Sequence, residues 1–185
     1  MKPLLVFAMK EESQDVFPDY DVLHTGIGKV NAAYGLMKHI AEKGKPSMVV
    51  NMGTAGSRKH KGGTIVNCTG FIQRDMDVTP LGIPLYQTPF SDDPVEISYG
   101  KTIESLPTGV CGTGDNFDTS EQAERFDVVE MEAYALALIC QREKIPFLCL
   151  KYVSDGADGD GAGDWNESLH RTAEALRDTL TKITL

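Results

Sequence analysis

Five short stretches of this chain set acids or small residues directly after apolar runs. Met9-Lys10-Glu11-Glu12 follows Leu4–Ala8, Gly53-Thr54-Ala55-Gly56 follows Met48-Val49-Val50, and Gly112-Thr113-Gly114-Asp115-Asn116-Phe117 follows Val110. Glu130-Met131-Glu132 follows Val129, and Ser154-Asp155 follows Val153. Four of the five deliver a carboxylate. Acids gathered among small residues suit a neutral or cationic ligand, or a reaction whose transition state carries positive charge. Metal chemistry is not indicated. His24, His39, His60 and His170 form no H-x-x-x-H pair, and Cys68, Cys111, Cys140 and Cys149 form no C-x-x-C pair. Neither a metal nor a cofactor is expected. Thr25-Gly26-Ile27-Gly28 lacks the third glycine and the distant acid of a dinucleotide fingerprint. The acidic run Asp155–Asp164 is like a calcium loop in composition only, because Ala162 and Leu169 fall where ligands are needed. It reads as a solvated loop or lid.

The elements that must hold these residues alternate. Leu4–Ala8 reads as a strand buried on both faces, and Tyr20–His24 as a shorter one. Asn31–Glu42 has helical spacing, with Ala33, Leu36, Met37 and Ile40 on one face and Gly44-Lys45-Pro46 as its stop. Ser47–Asn51 is a strand that Gly53–Gly56 should end as a tight turn. Thr64–Ile72, Val110–Thr113, Asp127–Glu130 and Pro146–Ser154 read as strands. Ala133–Glu143 reads as a helix with Ala133, Leu136, Ala137 and Cys140 inward. A last helix runs from about Asn166 to Lys182, capped by Asn166 or Asp164. Pro80–Pro107 reads as loop with one or two short strands. This pattern predicts an α/β fold: one domain over 1–185, three-layer α/β/α, around a central mixed, largely parallel sheet. In such sheets ligands bind beyond the carboxyl ends of strands, which is where the five stretches lie.

Composition narrows the partners. With 18 Lys and Arg against 27 Asp and Glu, the net charge is −9, and the pI is near 4.9. Neither nucleic acid nor an anionic membrane surface is an expected partner, since both are bound through excess positive charge. The apolar start runs straight into Lys10, Glu11 and Glu12 with no cleavage site, so it reads as a first strand rather than a leader. Cysteines in apolar surroundings point to a reducing, cytoplasmic setting.

Seven motifs in register carry a resemblance. They are Ala8-Met9-x-x-Glu12, Thr25-Gly26-Ile27-Gly28-Lys29-Val30, Asn51-x-Gly53-Thr54-Ala55-Gly56, Asp75-x-Asp77-Val78-Thr79, Gly112-x-Gly114-Asp115-x-Phe117, Val129-Glu130-Met131-Glu132-Ala133 and Val153-Ser154-Asp155-x-Ala157-Asp158. Together they resemble the nucleoside phosphorylase superfamily, and more narrowly the methylthioadenosine/S-adenosylhomocysteine nucleosidases. The resemblance implies a nucleoside phosphorylase-like fold. It also implies hydrolysis of the N-glycosidic bond of an adenine nucleoside.

That reaction makes the ribosyl carbon oxocarbenium-like, needs a proton on the leaving purine, and needs an activated water on the opposite face. By the resemblance Asp155 is the general acid at purine N7, for which it must hold a proton near neutral pH. Glu12 positions and deprotonates the water, with the Thr54-Ala55-Gly56 backbone and hydroxyl nearby. Glu132 holds the ribose hydroxyls and Met131 packs on the sugar. Phe117 stacks on the base. Met9, Ile27, Ser154 and Glu130 complete the substrate-binding set. The family is dimeric, so a homodimer is expected, with a nucleoside and water as the small-molecule partners.

The chain departs from the family in four places. Ser13–His24 is short, and so is the segment from Thr79 to Gly109. Asp118 stands at a usually apolar position, and Lys151 replaces the usual arginine, keeping the charge but not the bidentate fork. Two other activities are weighed. A phosphorylase would need arginines and a glycine-rich phosphate loop after the first strand, where this chain has Lys10-Glu11-Glu12, whose carboxylates repel phosphate; the basic run Arg58-Lys59-His60-Lys61 is the other place an anion could sit. A non-catalytic nucleoside binder has no need of an acid and a base flanking the bond.

Overall fold

The computed structural model describes residues 3–118, 120–157 and 161–183, with the side chains of 161–168 and 170 also outside the described set. The chain runs β1 Leu4–Phe7, α1 Lys10–Ser13, β2 Asp21–His24, α2 Lys29–Lys43, β3 Val49–Gly56, β4 Ile65–Gln73 and β5 Glu96–Ser98. It continues β6 Thr108–Thr113, β7 Val128–Glu130, α3 Ala133–Glu143, β8 Phe147–Asp155 and α4 Gly161–Lys182. Short 3-10 turns lie at Thr79–Leu81 and Glu121–Arg125.

A mixed sheet is borne out, with five parallel and three antiparallel pairings. The three-layer sandwich expected around it is modified, because the sheet closes on itself. β3 pairs with β8, β8 with β4, β4 with β6, β6 with β7, and β7 returns to β3 through Gly56↔Val129. These strands form a small barrel. β1 and β2 extend it beyond β3, and β5 flanks β4.

Successive strand residues serve opposite faces. Leu4 and Val6 join one buried cluster with Ala32, Leu36, Leu136 and Cys140 of α2 and α3. Leu5 and Phe7 join a second with Leu176 and Leu180 of α4. α3 buries the expected face. α2 buries it in part: Leu36 is buried and Ile40 packs against the core as expected, Ala32 is the other buried residue, and Met37 is exposed. Its apolar outer row is Val30, Tyr34 and Met37, at helical spacing.

Two boundaries are corrected. Gly53–Gly56 is strand, not turn, because β8 pairs with it residue by residue. The last helix starts at Gly161, upstream of both expected caps. Asp158 and the middle of the acidic run lie outside the described residues.

Candidate active site

The carboxyl ends of β1, β3, β7 and β8 converge on a cavity of about 280 Å³. All twelve sequence-predicted site residues line it: Met9, Glu12, Ile27, Thr54, Ala55, Gly56, Phe117, Glu130, Met131, Glu132, Ser154 and Asp155. A wider hollow of about 830 Å³ lies against the starts of β6 and β8 and shares none of them. Its size reflects an open surface; the smaller cavity holds the clustered acids.

Glu12 arrives on α1, a single turn that folds it back toward β3. Its Oε1 accepts hydrogen bonds from the Thr54 N–H and hydroxyl, both at 2.9 Å, and Oε2 accepts the Met9 N–H at 3.3 Å. Ser13 Oγ lies 2.8 Å from His24 Nε2, tying the turn to β2. Glu12 is buried, so these donors replace the water it would otherwise hold.

Asp155 ends β8, where a bulge between Ala55 and Gly56 sets it opposite Gly56. Its Oδ2 accepts the Ser154 hydroxyl at 2.8 Å and its Oδ1 the Ala157 N–H at 2.9 Å. Ala157 takes a left-handed conformation, φ 49°, and so turns the chain back on the carboxylate.

Glu132 stands where α3 begins. Its Oε1 accepts the Gly28 N–H at 2.8 Å, at the start of α2. The next N–H, that of Lys29, goes to Asp115 Oδ1 at 2.8 Å. Two acids therefore satisfy the open N-terminus of α2. Gly28 sits at φ 94°, a region that glycine adopts without strain. Burial, then the charge of Glu130, pushes the Glu132 pKa up to about 8.

Glu130 also touches the cavity, but its oxygens are engaged by protein. They accept the N–H groups of Glu132 and Ala133, the Thr113 hydroxyl and Lys151 Nζ at 2.9 Å. Burial opposes its charge, yet the Lys151 ammonium and the Thr113 hydroxyl hold its pKa below the usual carboxylate value. Burial likewise opposes the charge on Lys151, and Glu130 holds its pKa well above that of an ordinary lysine. Lys151 itself is not among the lining residues.

Phe117 stands 55% exposed at the cavity wall. The same wall holds Arg74, Asn116 and Asp118, of which sequence reasoning missed Arg74 and Asn116. The signal for Arg74 was its place at the end of β4, directly before Asp75-x-Asp77. The basic run after β3 is engaged: Arg58 Nη1 meets Glu124 at 3.3 Å and Lys59 Nζ meets Asp127 at 3.2 Å.

The model of the phosphorylase superfamily matches residues 21–185. Among relatives, the 5'-methylthioadenosine/S-adenosylhomocysteine nucleosidase of Exiguobacterium sp. is 37% identical over 169 residues, 80% of this chain and 72% of that protein. The Haemophilus influenzae enzyme of the same name is 34% identical over 84% of this chain and 76% of its own length. The fold is shared with the Helicobacter pylori nucleosidase, at TM-score 0.87 and 22% identity, covering 98% of this chain and 97% of that one. The native futalosine hydrolase of Helicobacter pylori gives TM-score 0.86 at 22% identity, over 98% and 96%. This chain is thus a phosphorylase-superfamily protein. Within that superfamily it belongs to the 5'-methylthioadenosine/S-adenosylhomocysteine nucleosidase family.

Proposed function

We propose that this protein hydrolyses the N-glycosidic bond of an adenine nucleoside of the methylthioadenosine or S-adenosylhomocysteine type, releasing adenine. The observation that carries the reading is the convergence of Glu12, Glu132 and Asp155 on one small cavity beside Phe117. In this reading Asp155, oriented by Ser154 and the Ala157 N–H, gives its proton to purine N7 as the bond opens. Glu12, oriented by Thr54, takes a proton from the water that attacks the far face of the ribosyl carbon. The Glu12 carboxylate favours the positive charge that develops on the sugar. Glu132 holds the ribose hydroxyls, Met9, Met131 and Ile27 give the sugar apolar contact, and Phe117 stacks on the base. Ala55 and Gly56 keep the floor small enough for the ligand. Glu130 we assign to holding the start of α3, since its oxygens are already engaged.

Chromatography of adenine released from methylthioadenosine, S-adenosylhomocysteine and adenosine tests this. Release without phosphate is expected. Release only with phosphate moves the reaction to phosphorolysis, and no release at all favours a binder.

We read the protein further as a cytoplasmic homodimer. Its four cysteines are free and buried. The outward row Val30, Tyr34 and Met37 of α2 lies next to Ile27 at the cavity mouth and is the supporting surface for self-association. Val30→Asp should lower the sedimentation mass to that of one chain.

A further inference from the structure

We propose that Arg74 is a positioning residue that holds the cavity wall at 114–118, and through it Phe117, in place. Phe117 is 55% exposed, so burial does not fix its ring. Its neighbours on both sides are fixed by one guanidinium. Arg74 Nη1 donates to Asn116 Oδ1 at 2.8 Å and faces Asp118 Oδ2 at 3.3 Å. Nη2 donates to the carbonyls of Asn116 at 2.5 Å and Gly114 at 3.4 Å. The fork therefore gathers oxygens from the residues before and after the ring.

The side chains of Arg74 and Asp118 are 5% and 8% exposed, so the pair acts with little solvent screening. Gly114 makes the approach possible, because a Cβ there would stand 2.8 Å from Arg74 Cζ. Asp118 is held from its other side by the N–H and hydroxyl of Ser120. The unexpected acid at 118 is thus the partner of an arginine that the wall needs. Among the described residues the remaining guanidinium donor, Nε, is buried without a partner, on a side chain that lines the cavity. A lysine offers a point charge and no planar fork, so it cannot replace this clamp.

The clamp is independent of the reaction; its effect on the base rests on the nucleosidase reading. Hydrogen exchange by mass spectrometry on the full chain tests the first part. Arg74→Lys should speed exchange of the 114–118 amides about tenfold, with that of β1 and β3 unchanged. Asp118→Asn, a smaller change, serves if the first variant does not fold, and should act in the same direction. A double-mutant cycle on adenine release tests the second part. Arg74→Lys should raise KM about tenfold in the wild-type background and less than about twofold in Phe117→Ala. Unchanged exchange at 114–118 overturns the clamp. Equal KM losses in both backgrounds overturn its action through Phe117. A wild-type protein that releases no adenine overturns the nucleosidase reading and leaves the exchange result to decide the clamp.

Discussion

Gly56 is the seat of Asp155. The two are partners in the β3–β8 register, and a Cβ on Gly56 would stand 2.8 Å from Asp155 Oδ1. Gly53 does the same for Glu12, where a Cβ would stand 2.9 Å from Oε1. One strand thus keeps two bare positions, and each accommodates one of the two carboxylates assigned to the chemistry.

Gly56→Ala should move the Asp155 carboxylate by a fraction of an ångström to an ångström. A displacement of that size costs on the order of 100-fold in turnover. Steady-state kinetics check this, with thermal denaturation to show that the fold persists.

Asp155→Asn should lower turnover by about 10²- to 10⁴-fold, the range for losing a general acid. Adenine affinity by calorimetry should stay within about threefold, because the amide fits the same space. A variant with near wild-type turnover removes Asp155 from the acid role.

Lys151→Met leaves the buried Glu130 carboxylate without its cation. Breaking a buried pair in this way costs about 3–5 kcal/mol of stability. Glu130→Gln added to Lys151→Met should recover a large part, since the stranded charge is then gone. Urea denaturation of the wild type and the two variants reads the difference.

Glu132 keeps its proton in the folded protein up to about pH 8, against an ordinary value of 4.5. The folded state therefore binds more protons than the unfolded state between those values. The contribution to stability is full below the unfolded value and is lost as pH rises through about 8. Glu132→Gln has no such proton, so its stability relative to wild type should improve from pH 5 to pH 9. The slope is up to about 1.4 kcal/mol per pH unit. Denaturation at several pH values measures it, and a difference independent of pH contradicts the protonated state.

Local pattern made much of this legible. α3 reads directly from its apolar spacing and begins and ends where the spacing says. The acids after β1, β7 and β8 read as strand-end residues, and the cavity gathers them. The glycines of β3 misled, because small residues read as a turn. They are small because Glu12 and Asp155 pack over them, a reason that lies in distant segments. On α2 Leu36 and Ile40 turn inward as expected, but Met37 was misplaced because it fits an apolar stripe equally well pointing outward. Closure of the sheet depends on Gly56 meeting Val129, which no local pattern encodes. The same holds for Arg74 and Asp118, whose partnership exists only after folding.

The barrel has a consequence for how the molecule assembles in time. β8 is the strand that joins β3 to β4, and it is synthesised after every other strand. It also brings Asp155. While residues 147–155 remain within the ribosome, β3 and β4 are linked only through β6 and β7, and the strand that pairs directly with both is missing. Closure joins segments nearly a hundred residues apart, such as Val49 with Phe147, and such non-local pairing is slow. Maturation of the pocket is therefore a late event that completes the core and delivers Asp155, the residue assigned as proton donor, in the same step.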